Sequence, residues 1–128
     1  MSTGQSALFK SIPEQDYMHL FKKGVPDGNK VIDFLKYKKA DVSAATNIPV
    51  SSIRYDPKIP AELEERLKEW AIAINLVAGF FKDKEKTLLW FSIPNHLLGG
   101  ISPRDLIRIG RFKKLLNFIQ TALDENQG

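Results

Sequence analysis

Between Pro60 and Phe81 the sequence spells a helix whose far end must be surrounded by protein. Leu63, Leu67, Trp70, Ile74, Val77 and Phe81 recur at alternating steps of four and three, the spacing that aligns side chains along one stripe of an α-helix. From Ala71 onward the other faces are apolar too, and a helix apolar all round is a buried one. Glu62, Glu64 and Glu65 crowd the first turn, where the helix dipole favours negative charge. The other segments must therefore pack around this helix.

The chain has 128 residues, 43% of them apolar, enough for one domain or two small helical subdomains sharing a core. It has no cysteine, which excludes disulfides, thiolate zinc sites and a cysteine nucleophile and fits a reducing cytoplasm. The first twenty residues lack the basic start and apolar core of a signal peptide. The longest apolar run, Ala71–Phe81, is broken by Asn75 and Gly79 and is too short to span a bilayer. A cytoplasmic protein without a membrane partner is expected. The net charge of +4 allows an acidic partner without demanding one. Residues 1–60 hold nine Lys/Arg against six Asp/Glu, and residues 61–128 ten against nine, so nucleic-acid contact is expected in the first half.

Ahead of the central helix, Tyr17, Leu20 and Phe21 suggest a short helix within Glu14–Lys23. Gly24-Val25-Pro26-Asp27-Gly28 breaks it. A helix over Asn29–Tyr37 follows, then one over Lys39–Thr46, a turn at Asn47-Ile48-Pro49, and a third short helix over Val50–Tyr55. Asp56–Pro60 is a linker. After the central helix, Asp83 caps a helix running to Phe91. In the stretch Pro94–Ile107, Ser102 reads as an N-cap with Pro103 at the first helical position, and Asp105 is placed to bond back to Ser102. Gly110 stops that helix. The last helix spans Phe112 to about Leu123, and Asp124–Gly128 frays. The expected fold is all-α with about seven helices. Its expected divisions are an N-terminal segment 1–23, a helix-turn-helix domain 24–82 including the central helix, and a small helical domain 83–128.

Lys39–Tyr55 has the make-up of a helix-turn-helix, with small Ser43, Ala44 and Ala45 and locking residues Val42, Ile48 and Ile53. Lys36, Lys38 and Lys39 are placed to grip phosphates, and Ser51, Ser52 and Arg54 face outward on the reading helix. Of these only Arg54 can make a two-bond contact to guanine, and Asp56 beside it opposes phosphate. Two short helices with a polar outer face are also ordinary in any helical protein. Leu98-Gly99-Gly100 lacks the spacing of a nucleotide loop and reads as a tight turn. His19 and His96 have no partner at metal-ligand spacing. Trp70 and Trp90 read as core. No catalytic residue, metal or cofactor is expected.

The order of these features resembles the antitoxins of the Xre/MbcA/ParS type, partners of RES-domain toxins. Pro94, Asn95, Leu98, Gly99, Gly100, Ser102, Pro103, Leu106 and Ile107 fit the family's C-terminal pattern. Gly24-Val25-Pro26 resembles the stretch before its helix-turn-helix, and Ile59-Pro60-Ala61-Glu62 the start of its central helix. The resemblance covers about Gly24 to Leu123. It implies an N-terminal Xre-like helix-turn-helix followed by a toxin-binding domain. The chain would then be an antitoxin of a type II toxin–antitoxin pair that covers the pocket of an NAD-consuming toxin. It would bind the operator of its own operon, as a homodimer or a toxin–antitoxin hetero-oligomer. The toxin-binding surface is expected between Asn95 and Leu123, with Asn95, Arg104, Arg108 and Arg111 as polar contacts. The alternatives are a stand-alone regulator with the same fold and an interaction domain without DNA binding.

Overall fold

The computed structural model describes residues 15–127 of the chain. It is a mainly α fold arranged around helix α3 (Ala61–Phe81). A short antiparallel hairpin, β1 (Phe21–Lys22) and β2 (Val25–Pro26), precedes helices α1 (Gly28–Leu35) and α2 (Lys39–Thr46). After α3 come α4 (Lys84–Ser92), α5 (Pro103–Arg108) and α6 (Phe112–Gln127). Single 3-10 turns sit at Val50–Ser52 and His96–Leu98.

The stripe on α3 does what its spacing demands. Leu63, Leu67, Trp70, Ile74 and Val77 are buried, and so are Ala71, Ile72, Ala73 and Ala78 on the other faces of its second half. Helices α1, α4 and α6 and strand β2 pack directly against α3, while α2 and α4 close over α5. One continuous core draws on Leu20, Val31, Leu35, Val42, Ile53, Phe91, Leu106, Ile107, Leu115 and Ile119. It runs across the turn at Lys82 that separates α3 from α4. No helix among the described residues is long and apolar enough to cross a membrane.

Helix ends follow local chemistry. Asp27 accepts the Lys30 N–H at the start of α1, and Asp83 accepts the Lys86 N–H at the start of α4. The Ser102 hydroxyl accepts the Asp105 N–H, with Pro103 at the first position of α5. Gly110, at φ 84, ends α5 as the Arg111 N–H bonds Leu106 and the Gly110 N–H bonds Ile107. The reciprocal bond expected from Asp105 to Ser102 gives way to Arg104 and Arg108, which take the Asp105 carboxylate at 3.2 and 3.3 Å.

Four expectations are corrected. The described part of Glu14–Lys23 is not a helix but a turn leading into β1. The Asp16 carboxylate takes the Leu20 and Phe21 N–H groups, and His19 adopts φ 54, which breaks helical continuity. Lys23 and Gly24, at φ 52 and 80, then form the two-residue turn that suits a hairpin. The helix expected over Val50–Tyr55 is only the 3-10 turn Val50–Ser52. Ile53 is already extended, and Asp56 precedes Pro57, which disfavours helix at Asp56. The helix expected over Asn29–Tyr37 ends earlier, where Lys36 turns left-handed at φ 58. In the other direction, α6 runs through Gln127 instead of fraying at Asp124, because nothing before Gly128 interrupts it and Asn126 Nδ2 bonds the Ala122 carbonyl.

Candidate functional site

The stretch Asn95–Ser102 folds into a closed loop. Asn95 Oδ1 accepts the Leu97 N–H at 2.9 Å, and the Asn95 N–H donates to the Ile101 carbonyl at 3.1 Å. Gly99 and Gly100 have φ 88 and 85, a left-handed pair that a residue with a Cβ rarely adopts. These glycines form a tight turn, and Ser102 is a cap. The loop delivers Leu98 into the core and leaves Leu97 outside, 66% exposed.

Arg104 is engaged within the fold. Its Nε donates to the Leu35 carbonyl at 2.6 Å and its Nη2 to the Lys36 carbonyl at 3.1 Å. These are carbonyls at the C-terminus of α1 that the helix itself leaves unpaired. The guanidinium lies 5.4 Å from the centre of the Tyr37 ring, and the Tyr37 hydroxyl donates back to the Arg104 carbonyl. Tyr37 is buried against Trp70, ring edge to ring face, at 5.8 Å. Burial pushes its phenol well above the ordinary tyrosine range, although the Arg104 charge pulls the other way. Arg104 is therefore a clasp between α5 and α1.

Arg54 is also engaged. Its Nε and Nη2 fork onto Asp56 at 2.6–2.9 Å. The Arg54 hydrogen bond holds the Asp56 carboxyl below the usual carboxylate range, and the same bond raises the Arg54 guanidinium. The pair is solvent-exposed, so a phosphate would compete with Asp56 for this guanidinium. Ser51 and Ser52 are exposed on the 3-10 turn, and Lys36, Lys38 and Lys39 are exposed where α1 gives way to α2. The Lys38 N–H is capped by the Asp41 carboxylate at 2.8 Å. Arg108 is partly covered and paired with Asp105, while Arg111 is exposed at the start of α6.

Two concave surfaces flank these residues. The first is an apolar groove of about 200 Å3 lined by Val77, Phe80, Phe81, Trp90, Leu97 and Phe118, with Leu123 and Asn126 at its end and Asn95 on its rim. Trp90 stacks on Phe118 at 6.4 Å, and Phe80 meets Phe81 edge to face at 5.3 Å. Phe80 is 49% exposed. Trp90, expected in the core, is a groove wall. Phe80, Leu97 and Phe118 went unnoticed in the sequence. The one signal is for Phe80: α3 stays apolar on every face up to its last turn, where Phe80 is exposed.

The second surface is a wider, polar groove of about 730 Å3 between the end of α2, the first half of α3 and the start of α6. Ala45, Thr46 and Asn47 from α2 and its exit and Arg111, Lys113 and Lys114 from the start of α6 are among its lining residues. Arg66 and Glu69 on α3 are paired at 2.8 Å. Burial pushes the Glu69 carboxyl up, and the charges of Arg66 and Lys113 partly offset this.

Comparison with family models and with curated protein sequences finds no match to this chain.

Proposed function

We propose that this chain is a binding protein of the antitoxin type, whose partner is a RES-domain toxin seated on the apolar groove beside the Asn95–Ser102 loop. One observation carries the reading. The loop that bears the family-like motif sets exposed Leu97 beside a groove lined by aromatic side chains of three helices, of which Phe80 is exposed and Trp90 and Phe118 are partly buried. Aromatic residues lining a concavity with an exposed apolar rim are the kind of anchor that dominates protein–protein affinity. Capture would be steric: the chain covers the toxin's NAD pocket without chemistry of its own. The contact residues of this reading are Leu97, Phe80 and Asn95, with Arg108 and Arg111 as polar neighbours; Arg104 holds the surface in place.

In this reading Lys39–Tyr55, that is α2, the turn at Asn47–Pro49 and the 3-10 turn Val50–Ser52 that stands in place of a reading helix, would bind operator DNA. Lys38, Lys39, Ser51 and Ser52 are exposed there, whereas Arg54 is paired with Asp56.

Co-expression of the chain with a RES-domain toxin encoded beside it tests the reading. The two proteins are expected to co-purify and growth to be rescued. Leu97→Asp and Phe80→Asp are expected to abolish both while leaving the thermal melt within a few degrees of wild type. Failure of the wild-type pair to co-purify, or full rescue by both variants, would falsify the assignment.

A further inference from the structure

The polar groove joins two parts of the chain that are far apart in sequence. Asn47 and Thr46, at the exit of α2, line it together with Arg111, Lys113 and Lys114 at the entrance of α6. Its charged lining is Arg66, Arg111, Lys113 and Lys114 against Glu62 and Glu69. That leaves an excess of two positive charges, half of the chain's net +4. Arg66 and Glu69 neutralise one another, so the uncompensated charge sits on the wall made by α6.

That wall runs against the helix's own preference. The first turn of a helix favours acidic side chains, because its free N–H groups carry partial positive charge. Helices α2, α3, α4 and α5 comply, with Asp41, Glu62 and Glu64, Glu85 and Asp105. Helix α6, like α1, has no acid there; it begins with a cluster of cations, Lys113 and Lys114 just after Arg111. These cations do not stabilise α6, and four residues hold three of them beside the turn that leads to Ser51 and Ser52.

We propose that the groove between α2 and α6 seats the phosphate backbone of duplex DNA, with Arg111, Lys113 and Lys114 as its contacts. The backbone grip would thus come from the C-terminal part of the chain, beside the helix-turn-helix. These residues act as charges that position the duplex and carry no sequence information. This deepens the DNA-binding half of the proposed function and does not depend on toxin capture.

The test uses the full chain and a fluorescent 20-base-pair duplex of mixed sequence, titrated across a salt series. Each phosphate contact contributes about −0.9 to the slope of log affinity against log salt. The triple variant Arg111→Gln/Lys113→Gln/Lys114→Gln is expected to weaken binding at low salt at least tenfold and to flatten the slope by about 2–3. Lys84→Gln/Lys86→Gln on α4, a control with two cations removed elsewhere, is expected to keep the wild-type slope. The triple variant should also melt at or above the wild-type temperature, since it removes cations from a helix start; unfolding is therefore not an available explanation for lost binding. An unchanged slope in the triple variant overturns the proposal. So does a wild-type chain that binds poly-glutamate but not the duplex, which would make the groove a seat for an acidic protein. Co-purification with the toxin is expected to be the same for the double variant Lys113→Gln/Lys114→Gln, which leaves Arg111 in place, and for wild type, while the double variant still flattens the salt slope by about 2, so failure here and failure of the antitoxin reading are told apart.

Discussion

Replacing Arg104 by alanine separates a structural clasp from a solvated arginine. The change removes two hydrogen bonds from a charged donor to the Leu35 and Lys36 carbonyls and the cation over the Tyr37 ring. A bond from a charged donor contributes about 1.5–3 kcal/mol net. The bond to Lys36 is exposed, so its carbonyl regains water and adds little, and the pair as a whole contributes little more than one such bond, about 2–3 kcal/mol. The ring contact adds about 0.5–1 kcal/mol, and release of the arginine side chain returns up to about 2 kcal/mol of entropy. The net expectation is a loss of about 2 kcal/mol. In a chain of this length that corresponds to a fall of about 6–10 °C in Tm. Urea titration should show a lower midpoint with an unchanged m-value. Arg104→Lys should recover only part of the loss, because an ammonium cannot fork onto two carbonyls. In a double-mutant cycle with Tyr37→Phe the two changes should be non-additive by at least about 0.5 kcal/mol. A loss under about 0.5 kcal/mol for Arg104→Ala, the range of ordinary surface substitutions, would refute the clasp and return Arg104 to the partner surface.

Three further outcomes are expected. In Gly28→Ala the new Cβ would sit 2.8 Å from Tyr55 Cδ1 and 3.1 Å from Leu67 Cδ1. Overpacking should cost about 1–3 kcal/mol, outweighing the ~1 kcal/mol preference of helices for alanine; a thermal melt that rises would contradict the packing. Asn75 is buried on α3, with Oδ1 accepting the Met18 N–H and Nδ2 donating to Asp16. Asn75→Leu should destabilise by about 1–3 kcal/mol by stranding the Met18 N–H, and a neutral result in chemical denaturation would show that water replaces the bond. The buried Tyr37 phenol ionises at higher pH in the folded chain than in the unfolded one. Its contribution is fully present below the unfolded value of about 10 and declines as pH rises above it. Urea midpoints measured from pH 8 to 11 should fall more steeply for wild type than for Tyr37→Phe; parallel curves would exclude Tyr37 as the source.

Much of the architecture was legible because its signals are local. The boundaries of α2, the cap at Asp83, the Ser102–Pro103 start and the Gly110 stop depend on residues within one or two turns of each other. The α3 stripe likewise predicts its own burial, since the period is intrinsic to the helix. The hairpin at Phe21–Pro26 escaped notice because two-residue strands are too short to show alternation. The reading helix was overextended because Ile53 and Asp56–Pro57 govern its end from beyond the apparent pattern.

The candidate sites were less legible. Arg104, Arg108 and Arg111 are alike in the sequence as candidate polar contacts, yet Arg104 is bonded to carbonyls 68 and 69 positions away. Trp90 reads as core in the sequence and Phe80, Leu97 and Phe118 carry no site signal there, and only their meeting at one corner makes them a groove. By itself the sequence determined the helical class, the buried central helix and the turn chemistry of the motif, all of which follow from backbone preference and near-neighbour spacing. The tertiary structure alone decided which cations are engaged, which aromatic residues remain exposed and which remote walls share a groove. Those depend on neighbours brought close by packing across the chain, and no local period encodes them.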